Sequence, residues 1–71
     1  MNRVNPKALL HSKWTKLNVV KREKHFMVTK VEYNEDQSVE QCIIEAVITK
    51  QEYTINWRDL KDSAQWQQGW K

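Results

Sequence analysis

The residues that could act as a nucleophile, a base or a metal ligand are few in this sequence of 71 residues. Cys42 is its single cysteine, and His11 and His25 are its two histidines. They lie far apart and lack the paired C-x-x-C or H-x-x-x-H spacing of a zinc site. There is no glycine-rich phosphate loop and no pair of carboxylates beside an evident cleft. The sequence therefore predicts no bound metal and no cofactor.

Catalysis by Cys42 is not expected either, because a nucleophile needs an activating base and an orienting group. Cys42 falls on the predicted inward side of a strand, beside Ile44, where a thiol usually behaves as a small apolar side chain. His25 stands at the start of a predicted strand, in the position of a polar edge residue. We therefore expect the protein not to be an enzyme.

Charge is divided unevenly along the chain. Residues 1–30 carry eight lysines and arginines against one glutamate, a balance of +7, and residues 31–71 carry four against eight acids, a balance of −4. Such a chain can steer an anionic partner to one end of the molecule. It can equally match its basic and acidic segments within one fold, and the sequence leaves both readings open.

One functional hypothesis uses the basic segment to bind RNA or single-stranded DNA. Small β domains of this kind combine cations for the phosphates with exposed aromatic rings, each stacked base contributing roughly 1–3 kcal/mol. A solvated basic connector would show the same run of charges. The predicted nucleic-acid contacts are Lys13, Trp14, Lys16, Lys21, Arg22, Lys24 and Lys30.

The hypothesis that we favour is a non-enzymatic binding module that docks onto another protein or onto a second copy of itself. Tryptophan and arginine are enriched at the energetic centres of protein interfaces. Trp14 and Trp70 are the predicted docking anchors. An open strand at the edge of the predicted sheet and a half-apolar reverse face would suit the same function.

The order of residues predicts short strands joined by polar turns. Asn5-Pro6 is a helix-start signal that leaves room for one or two turns. Residues 18–24 read as a basic connector without a clear period. The predicted strands are Lys13 to Leu17, His25 to Tyr33, Val39 to Thr49 and Glu52 to Trp57, with turns at 34–38 and at Lys50-Gln51.

The register of these strands can be tested by pairing their residues. A first hairpin centred on Asp36 and a second centred between Lys50 and Gln51 bring only apolar residues together on one face. The predicted core comprises Phe26, Val28, Ile44, Ala46, Ile48, Tyr53, Ile55, Trp57 and Trp66, and the reverse face carries Met27, Val31, Ile43 and Val47. We expect one domain, residues 1–71, that is mainly β (small α+β): a curled antiparallel meander of three to four strands, with an SH3-like half-barrel as its more closed form.

The C-terminal segment predicts a cover for this sheet. Asp62-Ser63 is a helix N-cap pair, residues 64–68 would form a short helix, and Gly69 stands where a C′ residue of positive φ belongs. We expect Trp66 and Trp70 to close onto the core as a clasp. Four tryptophans, each able to bury about 150–250 Å², would then replace the cross-links that a chain of this size usually needs.

Four segments of the sequence resemble a family of small tryptophan-rich bacterial proteins of unknown function. They are Asn5-Pro6-x-x-Leu9-x-x-Ser12-Lys13-Trp14-Thr15, Lys24-His25-Phe26-x-Val28, Glu45-Ala46-Val47 and Trp57-Arg58-x-Leu60-x-Asp62-x-x-x-Trp66-x-x-Gly69-Trp70. The resemblance implies a free-standing single domain and carries no activity across.

No stretch of the sequence reaches the ~18–20 apolar residues of a membrane span, and residues 1–6 do not open a signal peptide. A single cysteine excludes an internal disulfide and suits a reducing compartment. We therefore expect a cytoplasmic protein without a membrane partner.

Overall fold

A computed structural model describes residues 1–71 as one antiparallel sheet of five strands. Its order is β4-β3-β2-β1-β5, so that the first four strands form a meander and the last strand returns to pair with the first. The mainly β antiparallel fold is confirmed, with one strand more than predicted. The elements are a 3₁₀ turn at Pro6–Ala8, β1 (Lys13–Val20), β2 (Glu23–Tyr33), β3 (Val39–Ala46), β4 (Glu52–Ile55), a second 3₁₀ turn at Trp57–Lys61 and β5 (Trp66–Gln68).

The predicted register of the β2–β3 hairpin is confirmed in the half of the hairpin that lies farther from its turn. Phe26 pairs with Ala46, and Val28 pairs with Ile44. All four side chains are buried on one face of the sheet, which we call the core face. Apolar agreement on both strands fixes this pairing, because a slip of one residue would turn every side chain to the other face.

A β-bulge at Thr29 corrects the predicted reverse face. Val28 faces Ile44 but Lys30 faces Ile43, so β2 has one residue more than β3 at this point. A bulge inverts the alternation of the residues beyond it. Val31 therefore pairs with Cys42 and packs against the core, whereas the unbroken strand would have placed it on the reverse face.

The predicted β3–β4 register is wrong by four residues. Ile44 pairs with Tyr53, where Trp57 was expected, because residues 47–50 form a turn that shortens β3. Lys50 closes this turn by donating its N–H to the carbonyl of Ala46 at 2.8 Å, and it does so at a φ of 63°. Two corrections to the predicted core follow. Ile48 lies in the turn and is 67% exposed.

Trp57 is the second correction, because β4 ends at Ile55 and Trp57 begins a 3₁₀ turn. It packs against the core from that turn and is only half-buried. Since the shift of four residues is even, Tyr53 and Ile55 keep the predicted face. Ile55 is partly buried there, and Tyr53 lies at the rim, 38% exposed.

The basic connector predicted at 18–24 is instead a tight hairpin. β1 continues to Val20, and Lys21 and Arg22 turn the chain into β2. Their φ angles of 56° and 63° are those of a type I′ turn, which matches the twist of the flanking strands. The sequence concealed this hairpin because Asn-Gly, the usual pair at such a turn, is absent.

The helix predicted at residues 64–68 is wrong. Asp62 holds a turn instead, its side chain accepting from the Ala64 N–H at 2.9 Å and its carbonyl accepting from the Trp66 N–H at 2.9 Å. The chain then runs beside β1, where Trp66 pairs with Lys16. Gly69 has the predicted positive φ, at 80°, but it ends a strand.

The two residues of the predicted clasp lie on opposite faces of the sheet. Trp66 is buried on the core face, beside Phe26. Gly69 and Lys71 cross the reverse face at Thr15, whose hydroxyl donates to the Gly69 carbonyl at 2.7 Å and accepts from the Lys71 N–H at 2.9 Å.

Segments outside the meander cover the core face. Leu9 follows the first 3₁₀ turn, Leu60 lies in the second, and both are fully buried. Asn2 joins the two ends of the chain, since its side-chain amide donates to the carbonyls of Leu60 at 2.9 Å and Trp66 at 2.8 Å. The buried core comprises Leu9, Trp14, Phe26, Val28, Cys42, Ile44, Ala46, Leu60 and Trp66.

Trp14 is the largest residue that the predicted core omitted. It is 2% exposed, and its Nε1 donates to the Ser12 hydroxyl at 2.9 Å. That hydroxyl in turn donates to the Leu9 carbonyl at 2.6 Å, so the indole is both packed and hydrogen-bonded.

We predict that Trp14→Phe destabilises the domain more than Trp57→Phe. At Trp14 the smaller ring leaves a cavity and removes the hydrogen bond that the Ser12 hydroxyl accepts, a loss of about 1–3 kcal/mol. At Trp57 the ring is only partly buried, and neighbours cover less of its surface. Urea denaturation of the two variants measures the difference, and an equal or larger loss at Trp57 would show that the core is centred elsewhere.

Candidate functional site

A groove opens on the core face between the two edge strands of the sheet. Its volume is about 390 Å³, within the range of binding clefts. Because residues of β4 and of the β1–β5 pair line the same groove, the core face of this open sheet is concave between its two edges. We call this the seam groove, and it is lined by Lys16, Val20, Lys21, Glu23, Phe26, Ile44, Tyr53, Thr54, Ile55 and Trp66.

Aromatic rings form the floor of the seam groove. Phe26 lies between the other two, with its ring centroid 6.3 Å from that of Tyr53 and 5.3 Å from that of Trp66. The Trp66 contact is edge-on, at 81° between the ring planes, which is a favoured geometry for aromatic pairs. Phe26 and Trp66 are themselves buried, so the apolar surface that the groove offers to a ligand belongs mainly to the exposed parts of Tyr53 and Val20.

The outer edge of β4 borders this groove and pairs with no strand. The Ala46 N–H donates to the Gln51 carbonyl across the β3–β4 ladder at 2.9 Å. Bonding alternates along an antiparallel pair, so Glu52 and Thr54 direct their main-chain groups away from β3. An edge of this kind is a template for an extended chain.

Glu23 closes one end of the groove and is 6% exposed. Its carboxylate accepts hydrogen bonds from the Thr49 hydroxyl and, at 2.6 Å, from the Tyr53 hydroxyl. The two hydrogen bonds, of which the bond from Thr49 has the larger effect, hold the pKa of Glu23 below its ordinary value of 4.5. The hydrogen bond that Tyr53 donates to Glu23 raises the pKa of Tyr53. Glu23 therefore fixes the Tyr53 ring at the rim of the groove. Both of its carboxylate oxygens already accept hydrogen bonds from within the domain.

Sequence reasoning missed Glu23 as a site residue. It is the only acid among the first thirty residues, and that isolation was the available signal. The strand pairing that brings it to Tyr53 depends on the shifted β3–β4 register, which the sequence did not reveal.

The β1–β2 hairpin at residues 16–24, here the basic arm, carries the net charge of the whole protein. It holds four lysines and arginines and one glutamate, a net charge of +3. The chain has 12 Lys/Arg and 9 Asp/Glu in total, so the other residues hold eight of each and are neutral overall. The arm also exposes about half of Leu17, Val19 and Val20.

The far end of the groove has the opposite charge. Beyond Ile55 and Trp66 the cleft continues into a second cavity of about 400 Å³, whose other lining residues are Lys16, Asp59, Asp62 and Gln65. Lys16 borders both parts of the cleft, whereas Lys21 lies only in the seam groove and the two aspartates only in its continuation, so the charge changes sign along the cleft.

The predicted nucleic-acid contacts are not brought to one surface. Lys16 and Lys21 line the groove, Arg22 and Lys24 are exposed on the basic arm, and Lys13 lies on the reverse face. Lys30 pairs with Glu32 at 3.1 Å. Trp14 is a correction in both of its predicted roles, as a stacking ring and as a docking anchor, because it is buried beneath Leu9 and Ser12.

Trp70, the other predicted anchor, is 43% exposed but held in place. Its Nε1 donates to the Phe26 carbonyl at 3.0 Å, and Lys13 Nζ lies 4.8 Å from its ring centroid. His25 lies beside it, with ring centroids 6.0 Å apart, and its Nε2 is 3.1 Å from the Lys71 carbonyl. Trp70 thus covers the reverse face of β1 and β2.

No group of three or more His, Cys, Asp or Glu side chains in the structure could hold a metal ion. Cys42 is buried, and burial raises the pKa of its thiol to about 11, which keeps it protonated at neutral pH. None of the helical segments has the length and apolar character needed to cross a membrane.

We predict that Glu23→Gln destabilises the domain at neutral pH and that this destabilisation largely disappears in acid. A carboxylate whose pKa is lowered by folding contributes stability above its ordinary pKa of 4.5, and this contribution disappears as the pH falls below that value. Urea midpoints of wild type and variant should therefore converge between about pH 5 and pH 3. Glu35→Gln, in the exposed β2–β3 turn, is the control. A constant difference across this range would mean that the two hydroxyl bonds do not stabilise the charged form.

A family model described as tryptophan-rich protein (DUF2389) matches residues 12–71. No curated protein and no solved structure matches the chain. The match spans β1 to β5 and includes all four tryptophans. The chain therefore belongs to this family of tryptophan-rich proteins, whose function is unknown.

Proposed function

We propose that this domain is a non-enzymatic module that binds an extended segment of another protein in the seam groove. The observation that carries the proposal is the unpaired edge of β4 beside the aromatic floor, at whose rim the Tyr53 ring is exposed. An extended segment could add to β4 through main-chain hydrogen bonds and place alternate side chains on that floor.

The half-exposed ring of Tyr53 supports this proposal. Glu23 fixes its hydroxyl, so the ring is ordered before a partner arrives. Binding to an ordered side chain costs less conformational entropy than binding to a free one. Tyrosine also combines apolar area with a polar end, as do many residues at protein interfaces.

Binding of single-stranded RNA or DNA is the second candidate, and the charge of the basic arm favours it. Lys21, Arg22 and Lys24 could contact phosphates, and such contacts supply most of non-specific affinity. Base stacking has less support, since Trp14 and Phe26 are buried and Trp70 is on the reverse face. Self-association through the same β4 edge is a further form of protein docking.

A non-catalytic role is supported by the state of the two groups closest to chemistry. The Cys42 thiol is buried and protonated, and the Glu23 carboxylate already accepts two hydrogen bonds. We place the binding function in the bacterial cytoplasm, where a single thiol stays reduced.

Site-specific photocrosslinking in cells tests the proposal. A benzophenone amino acid at Thr54, on the free β4 edge, should give discrete protein adducts. The matched control carries the same probe at Gln67, an exposed residue of the other edge strand that does not line the seam groove. We expect Thr54 adducts to exceed those at Gln67 by about tenfold, the difference expected of a specific contact.

Two outcomes would contradict protein docking in the groove. Equal adduct yields at Thr54 and Gln67 would show that the contact is not specific to the β4 edge. Adducts that nuclease treatment removes would favour the nucleic-acid candidate.

A further inference from the structure

The geometry points to an acidic partner: we infer that the segment bound in the seam groove carries carboxylates where it passes the basic arm and apolar side chains where it lies on the aromatic floor. The inference rests on the proposed function and specifies the chemistry of its ligand. Three features of the structure support it.

The first feature is that the cations of the arm have no carboxylate partners of their own. The single ion pair in the structure joins Lys30 and Glu32. Lys16 and Lys21 border the groove without a carboxylate at ion-pair distance. Lys16 Nζ lies 5.9 Å from the Trp66 ring centroid, and both lysines help to lower the pKa of Glu23 from a longer distance. Glu23 is turned inward to Thr49 and Tyr53. Carboxylates on a ligand would supply the missing opposite charge.

The second feature is the concentration of charge. Outside the basic arm the protein is neutral overall, so attraction of an anionic segment is directed at this end of the groove. A local excess of one sign accelerates association and orients the partner as it approaches. Val20, which is half-exposed and lines the groove beside Lys21, favours a ligand that is apolar as well as anionic.

The third feature sets the direction of the ligand along the cleft. Lys21 lies at the end near Tyr53, and Asp59 and Asp62 line the continuation beyond Ile55. Like charges would oppose a carboxylate at the aspartate end. The acidic part of the ligand therefore lies near the arm, and its neutral part extends toward Ile55.

Three synthetic peptides of about ten residues test the inference. Each has an alternating valine–threonine run, preceded by three glutamates, three glutamines or three lysines. Titration against the full chain at low salt, followed by amide chemical shifts and by anisotropy of labelled peptides, measures site and affinity together. The glutamate peptide should bind at least about tenfold more tightly than the glutamine peptide, should shift Tyr53, Thr54 and Trp66, and should weaken with added salt.

Charge reversal identifies the cations responsible. Lys16→Glu/Lys21→Glu should weaken the glutamate peptide by about a hundredfold and should strengthen the lysine peptide. The matched control, Lys7→Glu/Lys30→Glu, changes the net charge equally at exposed sites outside the groove, and its affinity should stay within about twofold of wild type. Equal weakening by both double variants would overturn the inference, since net charge alone would then explain binding.

The outcomes separate the inference from the proposed function. If all three peptides shift the groove residues equally, the groove is a docking site but its ligand is not acidic. If no peptide shifts them, the docking function fails as well. An oligothymidylate of about ten nucleotides serves as the polyanion probe. If it binds more tightly than the glutamate peptide and shifts Lys21, Arg22 and Lys24 without shifting Tyr53 and Trp66, both proposals are wrong and the nucleic-acid candidate stands.

Discussion

The edge-on contact between Trp66 and Phe26 is the interaction that holds the last strand, β5, on the sheet. β5 has only three residues, and its pairing with β1 alone would hold it weakly. Trp66 ties it to the central strand of the sheet, with ring centroids 5.3 Å apart. Asn2 adds a bond to the Trp66 carbonyl and brings the N-terminal segment over the core. A chain with one cysteine thus obtains from an indole the closure that small domains often obtain from a disulfide.

The meander could be predicted where two strands constrain each other. Phe26 and Val28 meet Ala46 and Ile44 in the predicted register, because a slip of one residue would turn the apolar side chains of the strand to the other face. The β3–β4 hairpin lacks this protection, since a shift by four residues leaves all faces unchanged. Its register is set by the turn that Lys50 closes at positive φ, and a lysine gives no signal of that conformation. The helix predicted at residues 64–68 was wrong because its end signals are ambiguous. Asp62 and Gly69 suit the two ends of a short strand as well as those of a helix.

The candidate site was less accessible to sequence reasoning than the fold. Trp14 looks like an exposed ring among lysines, and only the return of Leu9 over the core face shows that it is buried. The seam groove exists because β5 pairs with β1, a contact between residues about fifty positions apart that no local pattern announces. The basic half of the chain was visible from charge alone. Its division between a basic arm, an ion pair at Lys30 and a reverse-face contact at Lys13 required the pairing of the strands.

The left-handed backbone at the turns has a consequence for the evolution and engineering of this protein. Five residues other than glycine adopt positive φ, and Lys21 and Arg22 do so consecutively. Each such residue costs roughly 1 kcal/mol relative to glycine, and Asn-Gly would relieve the strain at the hairpin tip. That exchange would increase thermal tolerance while removing two of the four cations of the arm. At these two positions, therefore, a gain in thermal stability would come with a loss of positive charge on the basic arm.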